Sequence, residues 1–372
     1  MFSFGRPRAF QDRFARSLGI PLLVVAVLIA TASQPRLTSA CTVCITLPDA
    51  SLADHLISAE IIVLAGPAQD NPFRFDPKKL IKGTSEDLAG LPEIPFLVDS
   101  ATRATFRNYP DKSILFTYGA VDKDAAGRGF SRRWKRIFIL NPDREQFLAS
   151  LEDAAKYWSF GSKNVAERVE FFAGYLNSAD PVLRDTALIE LDRAPYPAVQ
   201  ALRPKVPTNR LMEELRNMNR ISFVPIAIRL LGLQKDDAEA VGIVRARYPR
   251  AVSSRSGYLY DWALAGLEVD GSVAVQTIDN ALQKSGRKLQ DRQSLIRALT
   301  DAGTASPNLR DPIIDVFSRA LTDDSALALN IAIAARDWQE NRLDRQLKAV
   351  LENEEPDPLT RFVIQTKIAP TE

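Results

Sequence analysis

The chain has 372 residues, 46% apolar and 25% charged, enough for two folded domains with hydrophobic cores. Its 48 Lys plus Arg face 46 Asp plus Glu, a net charge of +2, and that balance argues against nucleic acid as a partner. A single histidine, His55, excludes a multi-histidine metal site and leaves a His-based triad only if His55 serves alone, while two cysteines, Cys41 and Cys44, allow one intramolecular disulfide.

Residues 1–40 read as an export signal. Arg6, Arg8, Arg13 and Arg16 make a positive leader, and Gly19–Ala32 is an uncharged apolar run. That run is shorter than the roughly 20 residues of a spanning helix. Thr38-Ser39-Ala40 is a small-x-small tripeptide, so cleavage after Ala40 would leave Cys41 as the first mature residue. Ala40-Cys41 also resembles the end of a bacterial lipoprotein box, which implies lipid on Cys41. Cleavage, lipidation and a retained anchor all stay open, and each places the rest of the chain in the periplasm or envelope. The N-terminus is then the route to any membrane association.

Cys41-Thr42-Val43-Cys44 suits a local disulfide or a disulfide plus tether. A redox pair needs a low-pKa thiolate, usually at a helix start after a strand, and here the leader precedes it instead. A thiol-disulfide or metal-handling role through this motif is the alternative reading. Cys41, Cys44, His55 and Asp54 approach a zinc set, but their spacing matches no common finger, so no metal or cofactor is expected. His55 lies in a short helical stretch, SLADHLISAE, and is read as exposed or capping.

Strand patterns follow. Glu60–Ala65, Phe73–Ile81, Ile94–Val98, Thr102–Phe106, Ser113–Tyr118 and Lys135–Leu140 are the candidates, the last two flanking a polar loop, Gly119–Ser131. About five or six strands in so short a stretch predict a small barrel or sandwich. The order Cys41-x-x-Cys44, short helix, EIIVLA strand, LIKG and SILFTYG resembles a netrin-like module of the OB type, which implies a closed β-barrel over residues 41–142.

The densest basic patch is Arg128–Arg136, where Arg132, Arg133, Lys135 and Arg136 surround Trp134. Contact with an anionic surface is one reading. The other is a charged strand edge guarded against pairing. Strand alternation puts Trp134 and Arg136 on one face and Lys135 on the other, which splits the patch.

Residues 143–372 carry helical periodicity almost throughout. Asp180–Ala194 is the clearest case: Asp-Pro opens the helix, and Leu183, Ala187, Leu188 and Leu191 form one apolar face. Arg184, Asp185, Glu190 and Asp192 are expected on wet faces. Further helices are predicted near Asp143–Trp158, Val165–Leu176, Arg210–Asn217, Val224–Leu233, Asp236–Arg247, Gly257–Leu267, Ser272–Lys284, Arg292–Ala302, Arg310–Leu321, Ser325–Trp338, Asn341–Glu352 and Pro358–Thr366. DPVLRDTALIELDRA, and more loosely LRDPIIDVFSRALTDDSALALNIAI, resemble HEAT-type repeats. That resemblance implies a solenoid of helical hairpins, a habit of partner binding, and a ladder of Arg184 with acidic residues of adjacent repeats.

The expected fold is therefore α+β and multidomain, a small N-terminal β-barrel-like domain followed by an all-α HEAT-like solenoid. No phosphate loop and no Gly-x-Ser-x-Gly is present. Asp236-Asp237, Asp323-Asp324 and Glu352/Glu354/Glu355 sit in polar turns where carboxylates cap helices. The expectation is a non-enzymatic exported scaffold that takes a protein or peptide partner on its helical surface.

Overall fold

The computed structural model describes residues 47–48, 50–71, 73–95, 99–121, 131–156, 158, 165–254, 257–353 and 356–368. These belong to one compact unit, Leu47–Glu372. The leader, Cys41 and Cys44, residues 122–130 of the polar loop and Glu354/Glu355 lie outside the described residues. The fold is mixed α+β, rich in helix, with one small open sheet.

Helix α1 (Leu52–Ser58) opens on a reciprocal cap. Ser51 Oγ accepts from the Asp54 amide at 3.0 Å, and the Ser51 amide donates to the Asp54 carboxylate at 3.0 Å. Strands β1 (Ile61–Pro67), β2 (Phe75–Lys82), β3 (Ile114–Val121) and β4 (Ser131–Ile139) are antiparallel in the order β2-β1-β3-β4. Side chains alternate across the sheet. Ile62, Leu64, Leu115 and Phe138 face the helical core, and Ile61, Val63, Ile114 and Phe116 face a second core closed by Phe75, Phe106 and Trp134. Burial on both faces explains why β1 is an unbroken aliphatic run.

The barrel expected over residues 41–142 is not formed. Four strands are present among the described residues, β2 and β4 do not pair, and the sheet stays open. Two expected strands are lost. Thr102–Phe106 lies in helix α3 (Ser100–Asn108), because Asp99 accepts from the Thr102 amide at 2.7 Å and caps a helix that turns Thr102 and Phe106 inward together. Ile94 and Pro95 have no regular structure, with Pro92 and Pro95 interrupting any ladder; residues 96–98 lie outside the described residues. A five-residue helix, α2 (Ser85–Ala89), precedes them.

The helical part runs α4 (Pro142–Ala155), α5 (Val165–Ala173), α6 (Pro181–Arg193), α7 (Tyr196–Leu202), α8 (Thr208–Arg216), α9 (Val224–Leu233), α10 (Ala238–Ser253) and α11 (Leu259–Asp270). It continues with α12 (Ser272–Leu282), α13 (Leu289–Ala305), α14 (Arg310–Asp323), α15 (Ala328–Asp337), α16 (Asp344–Asn353) and α17 (Pro358–Ile368). Helix α7 is absent from the predicted set. Pro195 and Pro197 sit where it begins, and it ends at Arg203, whose φ of 46° is left-handed.

Helix α6 lies on α9, and from there alternate helices pack on each other: α9 on α11, α11 on α13, α13 on α15 and α15 on α17; likewise α10 lies on α12, α12 on α14 and α14 on α16. Gly232 sets the α9–α11 distance, since a Cβ there would lie 2.6 Å from the Ala265 Cα. Among the described residues no helix is long and apolar enough to cross a membrane.

Candidate functional site

The apolar face predicted for α6 is buried as expected, but two of its expected wet residues are not wet. Glu190 is buried against Arg168 of α5, which bonds both carboxylate oxygens at 2.8 Å. The same guanidinium reaches Asp54 of α1 at 2.7 Å, and Arg193 also bonds Asp54. Four charges from α1, α5 and α6 thus tie the sheet side of the molecule to its helices. Three of them, Arg168, Glu190 and Arg193, line a cavity of about 200 Å³ with Val165 and Pro195. Burial works against the Asp54 carboxylate, yet the two arginines hold it down at about 2. Both Asp54 oxygens are therefore committed to arginine.

The second, Asp192, is half-buried and leads into a polar seam through α6, α9, α11 and α13. Arg229 of α9 is 6% exposed. Its guanidinium bonds the Asp192 carboxylate, and its Nε lies 3.0 Å from Asp261 of α11. One residue earlier, Tyr260 donates to Asp301 of α13 at 2.6 Å and carries Arg297 over its ring at 4.7 Å. At the other end of α11, Glu268 accepts from Tyr196 at 2.8 Å and lies 2.7 Å from Lys235. Burial raises Asp192, Asp261 and Asp301, with Asp261 pushed up to about 6 against the pull of Arg229. The seam holds acids and cations in mutual contact. Its chemistry is charge compensation, with one carboxyl group, Asp261, titrating just below neutrality.

A lone arginine inside an apolar helix, VPIAIRLLGL, is the sequence signal for this seam. A charge there must be buried and paired. Asp261 in YDWALAGL carries the same signal. Nothing in the sequence marks the Asp54–Arg168 tie, whose partners are more than a hundred residues apart.

The raised Asp261 pKa sets a pH dependence. The folded value near 6 exceeds the unfolded value of about 3.9, so between them the folded chain binds more protons. The contribution is full below about pH 4 and is lost as pH rises through about 6. Relative to Asp261→Asn, the wild type is expected to lose about 2 kcal/mol between pH 4 and pH 7. Urea unfolding of both proteins across that range measures it, and parallel stability curves would refute it.

The structure divides the basic patch. Trp134 is 6% exposed, stacks edge-on to Tyr118 at 5.2 Å and donates from Nε1 to the Pro92 carbonyl at 2.8 Å. Its ring is thus not open to a surface. Arg132 lies 3.2 Å from Glu60, Lys135 contacts His55 Nε2, and Arg136 reaches Thr102 at 2.8 Å and Asp99 at 3.4 Å. Arg133 is exposed. The patch residues therefore serve several separate contacts.

Arg184 bonds the Ser178 carbonyl at 3.3 Å rather than an acid. Other arginines tie together segments that are neighbours in space rather than in chain order, including Arg220–Asp185, Arg292–Asp324, Arg319–Asp279 and Arg342–Asp311. Asp237 caps α10 and accepts from Thr208 at 2.5 Å, the role expected of carboxylates in these turns. The chain matches no protein-family model, no curated protein and no solved structure.

Proposed function

We propose that this chain is a non-enzymatic, exported scaffold whose helices stack as a HEAT-like solenoid and hold a protein or peptide partner. The observation that carries the reading is the packing of each helix on the next but one, in two series from α9 and from α10. Stacks of this kind build long continuous surfaces, and partner binding is their common use. Helix α17 adds support: it exposes Leu359 and Phe362, one helical turn apart. In this reading that apolar face is covered by the partner.

The tagged full chain, recovered from its native envelope after cross-linking, is expected to carry the same partner in repeated preparations. Leu359→Asp with Phe362→Asp is expected to release it while thermal melting stays unchanged. The intact mass of the recovered chain, starting at Cys41 or at Met1, reports how the leader is processed. A chain that repeatedly emerges alone would overturn the proposal.

A further inference from the structure

Beside the sheet lies a groove of about 660 Å³, bounded by the end of β1, the start of β2, and α3 with the turn after it. Its volume is in the range of small-molecule sites. The floor is aromatic: Phe75 and Phe106 meet there with ring centroids 6.0 Å apart. Phe73 stands at the wall and is 62% exposed.

The rim is cationic. Arg103 and Arg107 are one turn apart on α3 and share a face, while Phe106 between them turns inward. Lys78 completes the rim, its stem laid across Gly66, where an added Cβ would meet the Lys78 Cε at 2.3 Å. Among the described residues, none of these three cations forms an ion pair. Nearby cations do: Arg74 pairs with Asp70 and Asp76, and Arg136 with Asp99. Among the described residues the groove is lined by one carboxylate, Asp111, against three cations. An aromatic floor beneath an uncompensated positive rim fits one ligand chemistry.

We propose that this groove is a binding site for a small anionic ligand with a flat apolar body, such as an aromatic carboxylate or an aromatic phosphate. Arg103, Arg107 and Lys78 take the anion through charge-assisted hydrogen bonds. Phe73, Phe75 and Phe106 take the body by apolar and ring contacts. This site lies in the sheet region and does not depend on the solenoid reading of the helices.

Titration calorimetry of the full chain with 1-naphthyl phosphate tests the proposal. Saturable one-to-one binding is expected, weakened by added salt. Neutral 1-naphthol and inorganic phosphate are each expected to bind at least about tenfold more weakly. Arg103→Gln with Arg107→Gln is expected to lose about tenfold or more in affinity. Both arginines are exposed on a helix that glutamine suits, and an unchanged melting curve checks the fold. Lys78→Gln provides a second variant on another element, with loss in the same direction. Absence of saturable binding, equal affinity in the arginine variant, or equal affinity for inorganic phosphate would overturn the proposal.

Discussion

Replacing Arg229 by methionine is expected to cost about 4 kcal/mol of folding free energy at neutral pH. The guanidinium is the cation between Asp192 and Asp261, and its removal leaves two carboxylates facing each other in a buried seam. The cost comes from the unpaired acids more than from the lost bond. Two consequences separate this cause from simple loss of packing. The penalty shrinks at pH 5, where the acids, already raised by burial and no longer held down by Arg229, take up protons. The triple variant Arg229→Met, Asp192→Asn, Asp261→Asn recovers most of the stability, because no charge is left to compensate. Urea denaturation at two pH values measures all three effects. A penalty below about 1 kcal/mol, or one independent of pH, would mean that the seam is solvated or compensated in another way.

Phe147→Ala is expected to cost a similar amount, about 4 kcal/mol, for an apolar reason. Phe147 of α4 has 0% exposure. It meets Tyr175 edge-on at 5.1 Å, with Phe171 and Phe172 at 6.1 and 6.5 Å. The same core contains Leu115 and Phe138 from the sheet, so α4 couples the sheet to the helices beyond it. Truncation removes a whole ring and leaves a cavity that rigid neighbouring aromatics cannot fill. Phe147→Leu keeps most of the volume and is expected to cost about 1 kcal/mol. Equal midpoints for the alanine variant and the wild type in guanidinium would show that this junction contributes little.

These two residues also show how far a sequence reading reaches. Phe147 is legible, because it recurs with Leu151 on the apolar stripe of a helix opened by Asn141-Pro142. Arg229 is legible only in part. Its apolar neighbours announce burial, but the identity of its partners depends on which helices touch. Glu190 and Asp192 show the complementary failure. Helical spacing places them off the main apolar face, and a second layer of helices then covers that side as well, so carboxylates expected to be wet end against Arg168 and Arg229. Thr102–Phe106 is a short stretch of threonine and aromatic residues that suits a strand, and one cap from Asp99 turns it into helix.

By itself the sequence determined where most helices lie, because periodic apolar residues, Asp-Pro starts and capping carboxylates are local signals. It marked the four strands too, though with two more that did not form; a strand buried on both faces must be an unbroken aliphatic run, as in β1. The tertiary structure alone decided that the sheet stays open, that Trp134 is enclosed beneath the Pro92 carbonyl, and that Lys78 meets Arg103 and Arg107 around one groove. Closure and enclosure depend on contacts between segments far apart in the chain. A charge pattern along one strand or helix says which residues prefer water, and only the packing of the other elements says which of them reach it.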